Sequence, residues 1–249
     1  MTARGDDGER WTDNADYWVG IIREHRDRYR TELTDAAVLE AIGACDGLTV
    51  LDAGCGEGYL SRELVQRGAA RVVGVDRSPS LVTAATAAGQ RCGSMSFKVG
   101  DIARLPLDAD EFDLVVANHV FNEVQDINVP AREFARVLRT SGRLIILMLH
   151  PCFYDPRAGR QAAVIRPVQE YFSVRAVEQH FEVDGLVSPS PAIWWMRPLE
   201  AYAQALTEAG FYLSGMQEPH PSLEQFTASS WWRENFPRPL FLLVTAVKP

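Results

Sequence analysis

The sequence lacks the features that mark secreted, membrane-spanning and metal-dependent proteins. Its 249 residues include four cysteines, too scattered for a zinc site or a disulfide scaffold, so we expect free thiols at Cys45, Cys55, Cys92 and Cys152. No apolar run approaches the roughly 18 residues of a membrane span, and the amino-terminal residues lack the apolar stretch of a signal peptide. No cluster of His, Asp and Glu suggests a metal site. We therefore expect a cytoplasmic protein with no metal ion and no membrane partner.

An excess of basic charge is also absent. The formal net charge is −8, whereas nucleic-acid binding depends on a concentrated surface of Lys and Arg side chains. We therefore expect no nucleic-acid partner, and the sequence leaves a homo-oligomer open. The apolar content of 47% is sufficient for a substantial core in one large or two small domains.

Apolar strands and amphipathic helices alternate along the chain. Strands are predicted at residues 49–52, 71–76, 95–99, 112–118, 142–149, 211–216 and 240–247. Helices are predicted at residues 60–67, 78–88, 130–138 and 198–209. This order is typical of an α/β protein, and it predicts a Rossmann-like, seven-stranded, mostly parallel sheet with helices on both faces.

Two segments depart from this alternation. Residues 1–47 mix aromatic and charged side chains, and we expect them to form a helical N-terminal cover. Residues 151–195 contain several Pro and Gly residues with weak periodicity, and we interpret them as an insertion that forms a lid over an acceptor pocket. Residues 48–150 then form the ligand-binding half, and residues 196–249 complete the same single domain.

The first strand runs directly into a glycine-rich turn, with Gly54, Gly56 and Gly58 at alternate positions. Glycines allow the backbone to turn sharply and to approach a ligand where a Cβ atom would clash. A dinucleotide-binding fingerprint requires its third glycine one residue later, where this chain has Tyr59. The spacing therefore disfavours NAD.

Polar side chains follow the strands of the predicted sheet. Asp52, Asp76, Asp101 and Asn118 stand at strand ends, where open α/β sheets bind their ligands. Asp76 lies about twenty residues beyond the glycine turn, a separation at which an acidic side chain can bind ribose hydroxyls. The alternative is that Asp76 serves the start of the next helix.

The segment from Asp52 to Gly58 resembles motif I of the class I S-adenosylmethionine-dependent methyltransferases. The resemblance implies that S-adenosylmethionine is the cofactor, that Asp76 binds its ribose and that Asp101 receives its adenine amino group. It also implies that Asn118 and His119 reach the methionine part and the transferring methyl group. The cofactor-binding residues that it implies are Asp52, Ala53, Gly54, Gly56, Gly58, Asp76, Arg77, Asp101, Ile102, Asn118 and Tyr29.

Segments of the second half narrow the resemblance. Residues 195–202, 209–211 and 218–219 are similar to small-molecule methyltransferases of the ubiquinone-biosynthesis-like superfamily. More narrowly, the chain resembles actinobacterial natural-product enzymes, including the N-methyltransferases of lincosamide antibiotic pathways. This implies a small-molecule acceptor and a role in antibiotic-like biosynthesis.

Three candidate catalytic residues follow from the chemistry of methyl transfer. His119 is a candidate base for a phenol or alcohol acceptor, although a packing role is as good an interpretation. Tyr17 and Phe121 could stabilise a cationic amine or sulfonium through their π faces. A Tyr hydroxyl of the N-terminal segment, such as that of Tyr29, or an Arg of the same segment could bind the cofactor's carboxylate. Packing of a surface helix is the alternative for both tyrosines.

The sequence leaves several alternatives to a small-molecule N-methyltransferase. An amine can lose its proton to water, so we favour N-methylation, with O-methylation as its close rival. A nicotinamide dehydrogenase and a catalytically silent cofactor-binding protein are weaker alternatives. A nucleic-acid amino-methyltransferase is disfavoured because the sequence from Asn118 to Phe121 lacks an Asn/Asp-Pro-Pro-aromatic motif.

The remaining aromatic pairs and thiols have structural explanations. Trp194-Trp195 and Trp231-Trp232 are expected to fill the core or to form subunit contacts. Cys152 follows a strand end and is expected to be packed rather than nucleophilic.

Overall fold

The computed structural model describes residues 7–89, 93–154 and 168–249. Residues 1–6 of the predicted N-terminal cover, Cys92, and residues 155–167 of the predicted insertion lie outside these ranges. None of the described helices is long and apolar enough to cross a bilayer.

A central sheet of seven strands organises the chain, in the order β10-β11-β5-β4-β1-β2-β3. Its strands are β1 Thr49–Ala53, β2 Arg71–Asp76, β3 Met95–Val99, β4 Phe112–Asn118, β5 Leu138–Leu149, β10 Tyr212–Gln217 and β11 Phe241–Val247. β1 to β5 pair in parallel, whereas β11 pairs antiparallel with both β5 and β10. The predicted Rossmann-like, mostly parallel sheet is therefore confirmed.

The helices connect and cover these strands. They are α1 Asp7–Asp13, α2 Ala15–Arg23, α3 Asp35–Ile42, α4 Tyr59–Gln66, α5 Pro79–Gly89, α6 Asn128–Val137, α7 Val168–Tyr171, α8 Leu199–Glu208, α9 Leu223–Ala228 and α10 Ser230–Asn235. A π-helical segment, Arg30–Thr34, leads into α3, and a 3₁₀ turn, Phe121–Glu123, follows β4. The Ser-Pro start predicted for α5 is observed, since Ser78 Oγ accepts a hydrogen bond from the Leu81 N–H at 3.3 Å.

Both faces of the five central strands are largely buried, which explains their continuous apolar runs, whereas the edge strands β3 and β10 are more exposed. In β5, Leu144, Ile146 and Met148 pack on the face that carries α6 and α8. Ile145 and Leu147 point to the opposite face, which carries α3 and α4. Because successive side chains of a strand alternate between faces, one run of apolar residues builds two core layers.

The segment after β5 contains short strands where the sequence predicted an irregular insertion. β6 Arg175–Gln179 pairs with β9 Ala192–Met196, and β7 Glu182–Val183 pairs with β8 Leu186–Val187. Asp184 and Gly185 join β7 to β8 with φ values of 52° and 76°. An Asp-Gly turn with both residues in the left-handed region is a recognised hairpin signal, and it was overlooked in the sequence because the flanking strands are so short.

The N-terminal helices contact this segment. Arg10 in α1 forms an ion pair of 3.0 Å with Glu178 in β6. The buried Asn14 side chain donates to the Ser190 carbonyl oxygen and accepts from the Ser190 N–H, both at 2.9 Å. Together the two segments lie across the carboxyl-terminal edge of the parallel strands, where a cavity opens beneath them.

Candidate active site

The cavity has a volume of about 1070 Å³. It lies at the ends of β1, β2, β4 and β5 and is also lined by residues of the N-terminal segment, of β6, β7 and β9, and of α10 and β11. Pockets for a single small ligand usually measure about 300–1,000 Å³, so this cavity has room for two ligands side by side.

The glycine turn after β1 forms one wall. Gly54 and Gly56 line the cavity with φ values of 75° and 54°, which favour glycine. A Cβ atom on Gly54 would lie 2.7 Å from the Cβ of Val120, so the turn packs directly against the residues that follow β4. A Cβ atom on Gly56 would meet nothing within 4 Å. The backbone at Gly56 therefore borders open space that a side chain would begin to fill.

Asp76 contributes a buried carboxylate to the same wall. Its Oδ2 accepts from the Gly56 N–H and its Oδ1 from the Ser78 N–H, both at 2.9 Å. Burial raises the pKa of Asp76, and these two N–H donors oppose that rise. Asp76 thus both supports the start of α5 and lines the cavity, so the two readings of this residue are compatible.

Arg77, Asp101 and Ile102 continue the wall past the ends of β2 and β3. Arg77 Nη2 donates to Asp101 Oδ2 at 3.0 Å, and the Ala103 N–H donates to Asp101 Oδ1 at 2.8 Å. The ion pair fixes the Asp101 carboxylate at the cavity rim, while the buried Ile102 belongs to the core.

Three residues expected to bind the cofactor do not line the cavity within the described part of the chain. Asp52 is 1% exposed and accepts a hydrogen bond of 2.6 Å from Ser61 Oγ, and burial raises its pKa to about 6. Ala53 is fully buried, and a Cβ atom on Gly58 would lie 2.9 Å from Phe97. Their contact with the cofactor stays a prediction, and in this structure all three are packed next to the glycine turn.

A chain of hydrogen bonds links the end of β4 to the N-terminal segment. Asn118 Nδ2 donates to the Tyr59 hydroxyl at 2.6 Å, which in turn donates to Asp35 Oδ1 at 3.2 Å. Arg30 Nη1 donates to Asp35 Oδ2 at 3.0 Å, and its guanidinium lies 4.5 Å from the Tyr59 ring centroid. Burial raises the pKa of Asp35 to about 6 despite the nearby Arg30.

Two atoms of this network lack a partner among the described residues. They are Arg30 Nε, a donor, and Asn118 Oδ1, an acceptor, and both residues line the cavity. Native proteins rarely leave buried polar atoms unpaired. A ligand with a carboxylate and an ammonium group would supply both missing partners. Arg30 belongs to the charged mixture of the N-terminal segment, from which the sequence predicts a Tyr or an Arg at the carboxylate without indicating which Arg.

The structure does not bring Tyr17 or Phe121 to the cavity wall. The Tyr17 hydroxyl donates to the Leu186 carbonyl oxygen at 3.3 Å and so ties α2 to β8. Phe121 is fully buried, with its ring 6.1 Å from those of Phe134 and Tyr202. Their expected catalytic roles are therefore corrected, because their side chains are committed to tertiary packing.

Tyr29 lines the cavity, but its hydroxyl already donates to the Asn235 carbonyl oxygen at 2.6 Å. Its ring packs 5.6 Å from Phe241, at the start of β11. This position is next to the end of β5, because Phe241 pairs with Leu149. The contact of Tyr29 with the cofactor's carboxylate stays a prediction, and in this structure its hydroxyl is already bonded to Asn235.

His119 directly follows β4, which lies in the sheet between β1 and β5. Its φ of 62° is unusual for a residue other than glycine, and its N–H donates to the Leu147 carbonyl oxygen at 2.9 Å. The imidazole lies edge-on to Phe241, with ring centroids 5.7 Å apart. Burial lowers the pKa of His119 to about 4, so the ring is neutral at physiological pH and is a weak base.

Aromatic side chains dominate the wall beyond His119. We call the following set the aromatic side: Tyr29, Tyr154, Phe181, Trp194, Trp231 and Phe241, all of which line the cavity. One tryptophan of each neighbouring pair lines the cavity: Trp194 and Trp231 do so, whereas Trp195 and Trp232 do not. One member of each pair therefore borders the cavity, where the sequence favoured core packing or subunit contacts for both.

The chain is similar to known methyltransferases. Residues 51–146 match the family model described as a methyltransferase domain. An uncharacterized methyltransferase of Schizosaccharomyces pombe is 27% identical over 223 residues, which cover 87% of this chain and 79% of that protein. The nocamycin O-methyltransferase of Saccharothrix syringae is 35% identical over 112 residues, only 43% of this chain and 40% of that enzyme. The crystal structure of an S-adenosylmethionine-dependent methyltransferase from Mesorhizobium loti is 28% identical, with a TM-score of 0.70, and the match covers 86% of this chain and 96% of that one.

The residues of the cavity fit S-adenosylmethionine. The space beside Gly56 admits a ligand close to the backbone, and the Asp76 carboxylate lies in the same wall. The unpaired atoms of Arg30 and Asn118 complement the two charged ends of an amino acid. With the matched domain, the sheet topology and the likeness to the Mesorhizobium loti enzyme along its length, these features identify the chain as a class I S-adenosylmethionine-dependent methyltransferase.

Proposed function

We propose that this methyltransferase acts on a small molecule and transfers the methyl group to a nitrogen atom, as in the biosynthesis of an antibiotic-like natural product. The observation that carries the choice of nitrogen is the environment of His119. Its partly buried imidazole, with a pKa of about 4, is a poor acceptor for a phenol or alcohol proton. An amine arrives with a free lone pair once it has lost its proton to water.

The proposed cofactor contacts extend along the wall from β3 to β4. S-adenosylmethionine, when bound, supplies an electrophilic methyl group on a sulfonium. Gly54 and Gly56 would bring main chain against it, Asp76 would accept from its ribose hydroxyls, and Asp101 from its adenine amino group. Arg30 would bind the carboxylate and Asn118 the ammonium group, each through an atom that has no partner among the described residues.

The chain's own contribution to the reaction is then chiefly positioning. Correct orientation of two reactants can supply about 7–11 kcal/mol of barrier reduction in favourable cases. The proposed lid, residues 151–195 with the N-terminal cover 1–47, would exclude water from the cavity. Support comes from the described contacts between the two segments, such as the paired hydrogen bonds of Asn14 with Ser190.

O-methylation is the second candidate. The specific observation in its favour is the likeness to nocamycin O-methyltransferase. However, that likeness covers 43% of this chain, and the methyltransferase domain match, residues 51–146, ends before the lid and before α10. The residues that line the aromatic side lie mostly outside this match, so the likeness constrains the acceptor weakly.

The cofactor assignment is tested by calorimetric titration with S-adenosylhomocysteine and, separately, NAD. We expect binding of the former alone, and a loss of about 10- to 100-fold in Asp76→Asn, because hydrogen bonds to a charged group are lost. Asp113→Asn is the matched control, since Asp113 bonds the Thr49 N–H and Arg139 at the opposite end of the sheet. Binding of NAD instead would overturn the assignment.

The choice of atom is tested with matched acceptors that differ only in an amino or a hydroxyl group, such as an aromatic amine and the corresponding phenol. Methyl transfer is measured by mass spectrometry across pH 6 to 9. We expect transfer to the amine, with a rate that His119→Asn changes by the same factor at every pH. Transfer to the phenol alone, with a pH dependence that disappears in His119→Asn, would establish base-assisted O-methylation instead.

A further inference from the structure

The order of the strands divides the cavity into two sides. The glycine turn, Asp76 and Asp101 follow β1, β2 and β3, whereas Leu149 ends β5 and Phe241 begins β11. β4 separates the two groups in the sheet. If the cofactor occupies the first side, as proposed above, the aromatic side is left for the acceptor.

The core contributes one wall of the aromatic side. The ring of Tyr29 lies 5.0 Å from that of Trp231 and 5.6 Å from that of Phe241. The Arg28 guanidinium lies 4.5 Å from the Trp231 ring centroid and is itself bound by Glu32. These contacts hold the rings in fixed positions, which favours flat partners over flexible ones.

The insertion contributes the other wall. Trp194 in β9 and Phe181 before β7 pack edge to face, with ring centroids 5.6 Å apart and an interplanar angle of 83°. Trp194 also packs in a cluster with Leu149, at the end of β5. Both walls therefore present aromatic side chains to the volume beyond His119.

Among the six residues of the aromatic side, one buried polar atom lacks a partner, and Trp18, which also lines the cavity and packs 4.8 Å from Phe181, has an unpaired Nε1 as well. The Trp194 side chain is 6% exposed, and its Nε1 has no hydrogen-bond partner among the described residues. An indole N–H can only donate, so the missing partner must be an acceptor atom. An unpaired buried donor is costly, and a bound molecule with a suitably placed oxygen would remove that cost.

Trp195 provides the internal comparison. Its Nε1 is likewise buried and has no partner among the described residues, but Trp195 does not line the cavity. Alternation along β9 sends the two neighbouring indoles to opposite faces. The two residues therefore share an unpaired indole N–H, and of the two only Trp194 lines the cavity.

We propose that the acceptor is a flat, aromatic molecule with a hydrogen-bond-accepting oxygen, and that Trp194 determines specificity by donating its indole N–H to that oxygen. The proposal rests on the proposed function, because it assigns the aromatic side to the acceptor. The ring system of the acceptor packs among the aromatic side chains, and the acceptor's nucleophilic atom faces the end of β4. Neither the ring contacts nor the hydrogen bond from Trp194 requires the methyl acceptor to carry a charge.

The test uses three small neutral compounds in the presence of saturating S-adenosylhomocysteine. Aminoindanone, with its amino group on the benzene ring, is flat with a carbonyl oxygen, the corresponding aminoindane is flat without one, and perhydroindanone keeps the carbonyl on a saturated ring. Calorimetric affinities are measured for the wild type, Trp194→Phe and Trp195→Phe. In the wild type we expect aminoindanone to bind about 2- to 10-fold more tightly than aminoindane, the range for one neutral hydrogen bond. Perhydroindanone should bind more weakly than aminoindanone.

Trp194→Phe should abolish the preference for aminoindanone over aminoindane, whereas Trp195→Phe should retain it. A second measurement avoids dependence on the folding of a variant. In ¹⁵N-labelled wild-type protein, the indole N–H resonance of Trp194 should shift downfield on addition of aminoindanone and not on addition of aminoindane. The two Trp→Phe variants assign the resonance.

The outcomes separate this inference from the proposed function. Failure of the wild type to bind S-adenosylhomocysteine would remove the proposed function itself. Two results would overturn only the inference if S-adenosylhomocysteine still binds. One is equal affinity for the flat and the saturated ketone. The other is a preference for the carbonyl compound that is the same in Trp194→Phe as in the wild type. Absence of binding by both flat compounds to the loaded enzyme would also overturn it.

Discussion

On the side of the cavity next to β1 and β2 the wall is largely main chain, whereas on the aromatic side it is made of side chains. Gly54 and Gly56 approach the open space without Cβ atoms, and Asp76 is fixed by backbone N–H groups. Tyr29, Trp194 and Phe241, by contrast, come from segments that are far apart in the chain. The glycine turn is a local motif of neighbouring residues, whereas the aromatic side is assembled only by the complete fold.

This difference explains how one scaffold can keep a cofactor and change an acceptor. A main-chain wall tolerates few substitutions, because its shape depends on the backbone conformation itself. A wall of side chains can be altered residue by residue without disturbing the sheet. The comparison predicts that the cost of mutations will fall from the glycine turn toward the lid.

The largest effect is expected at Gly54. Gly54→Ala would place a Cβ atom 2.7 Å from the Cβ of Val120 at a φ of 75°. We expect a loss of about 3 kcal/mol or more in the free energy of unfolding, from overpacking and the left-handed conformation together. Urea unfolding measures the loss, and S-adenosylhomocysteine affinity should fall more than about tenfold because the turn must shift.

Gly47→Ala is the control for the backbone contribution. Gly47 has nearly the same φ, 74°, but a Cβ atom there meets nothing within 4 Å. We expect this variant to lose only about 1 kcal/mol of stability and to keep the wild-type affinity. Equal effects of the two substitutions would contradict a wall shaped by close approach of the main chain at Gly54.

The next largest effect is expected at Arg30. It should distinguish binding of the amino-acid part of the cofactor from binding of the nucleoside part. Arg30→Lys keeps the charge but loses the planar group that lies over Tyr59 and bonds Asp35. We expect affinity for S-adenosylhomocysteine to fall about 10-fold or more, whereas 5′-methylthioadenosine, which lacks the amino-acid part, should bind unchanged. Arg28→Lys, a neighbour that bonds Glu32 instead, is the matched control. Parallel losses for both ligands would show that Arg30 acts only through the fold.

The sequence predicts the sheet well because its signals are local. The alternation that buries Leu144 and Ile145 on opposite faces is visible in the chain itself, and β2, β3 and β4 are observed over the predicted residues. The lid strands β6 to β9 were missed, since strands of two to five residues carry too little periodicity to stand out.

The site is harder to predict because it depends on where side chains point. Asp52 and Asp76 both end strands, yet Asp52 turns to Ser61 in the core while Asp76 lines the cavity. Tyr29 and Arg30 are neighbours, but the tyrosine packs on the aromatic side and the arginine joins Asp35. Such choices are set by packing around the residue, which neither composition nor spacing encodes.

A smaller effect is expected from protonation of His119, at the boundary between the two sides. Its folded pKa of about 4 is below the ordinary 6.5, so the neutral form is the one compatible with the fold. The stabilising contribution is therefore present above pH 6.5 and is lost as the pH falls toward 4. Linkage gives a loss of about 2 kcal/mol between pH 7 and pH 5. This loss should be absent in His119→Asn, measured by urea unfolding at both pH values.

Two carboxyl groups act in the opposite direction. Burial raises the folded pKa values of Asp35 and Asp52 to about 6, so their destabilising contribution is relieved as the pH falls below 6. Both groups are present in the wild type and in His119→Asn, so the difference between the two proteins isolates the histidine. Parallel stability curves for the two proteins would mean that His119 is accessible to water in both protonation states.

The smallest effect is expected on the surface of the lid, at the ion pair between Arg26 and Asp184. The pair is 2.9 Å long, but the side chains are 38% and 57% exposed, so water and salt screen it. Asp184→Asn should leave hydrogen exchange at the Ser190 N–H within error of the wild type. Asn14→Ala is the reference, because it removes the acceptor of that N–H from a buried site and should lower its protection by about 1 kcal/mol. If Asp184→Asn instead accelerated exchange as much as Asn14→Ala, surface charge rather than the buried hydrogen bonds would hold the lid against the N-terminal helices.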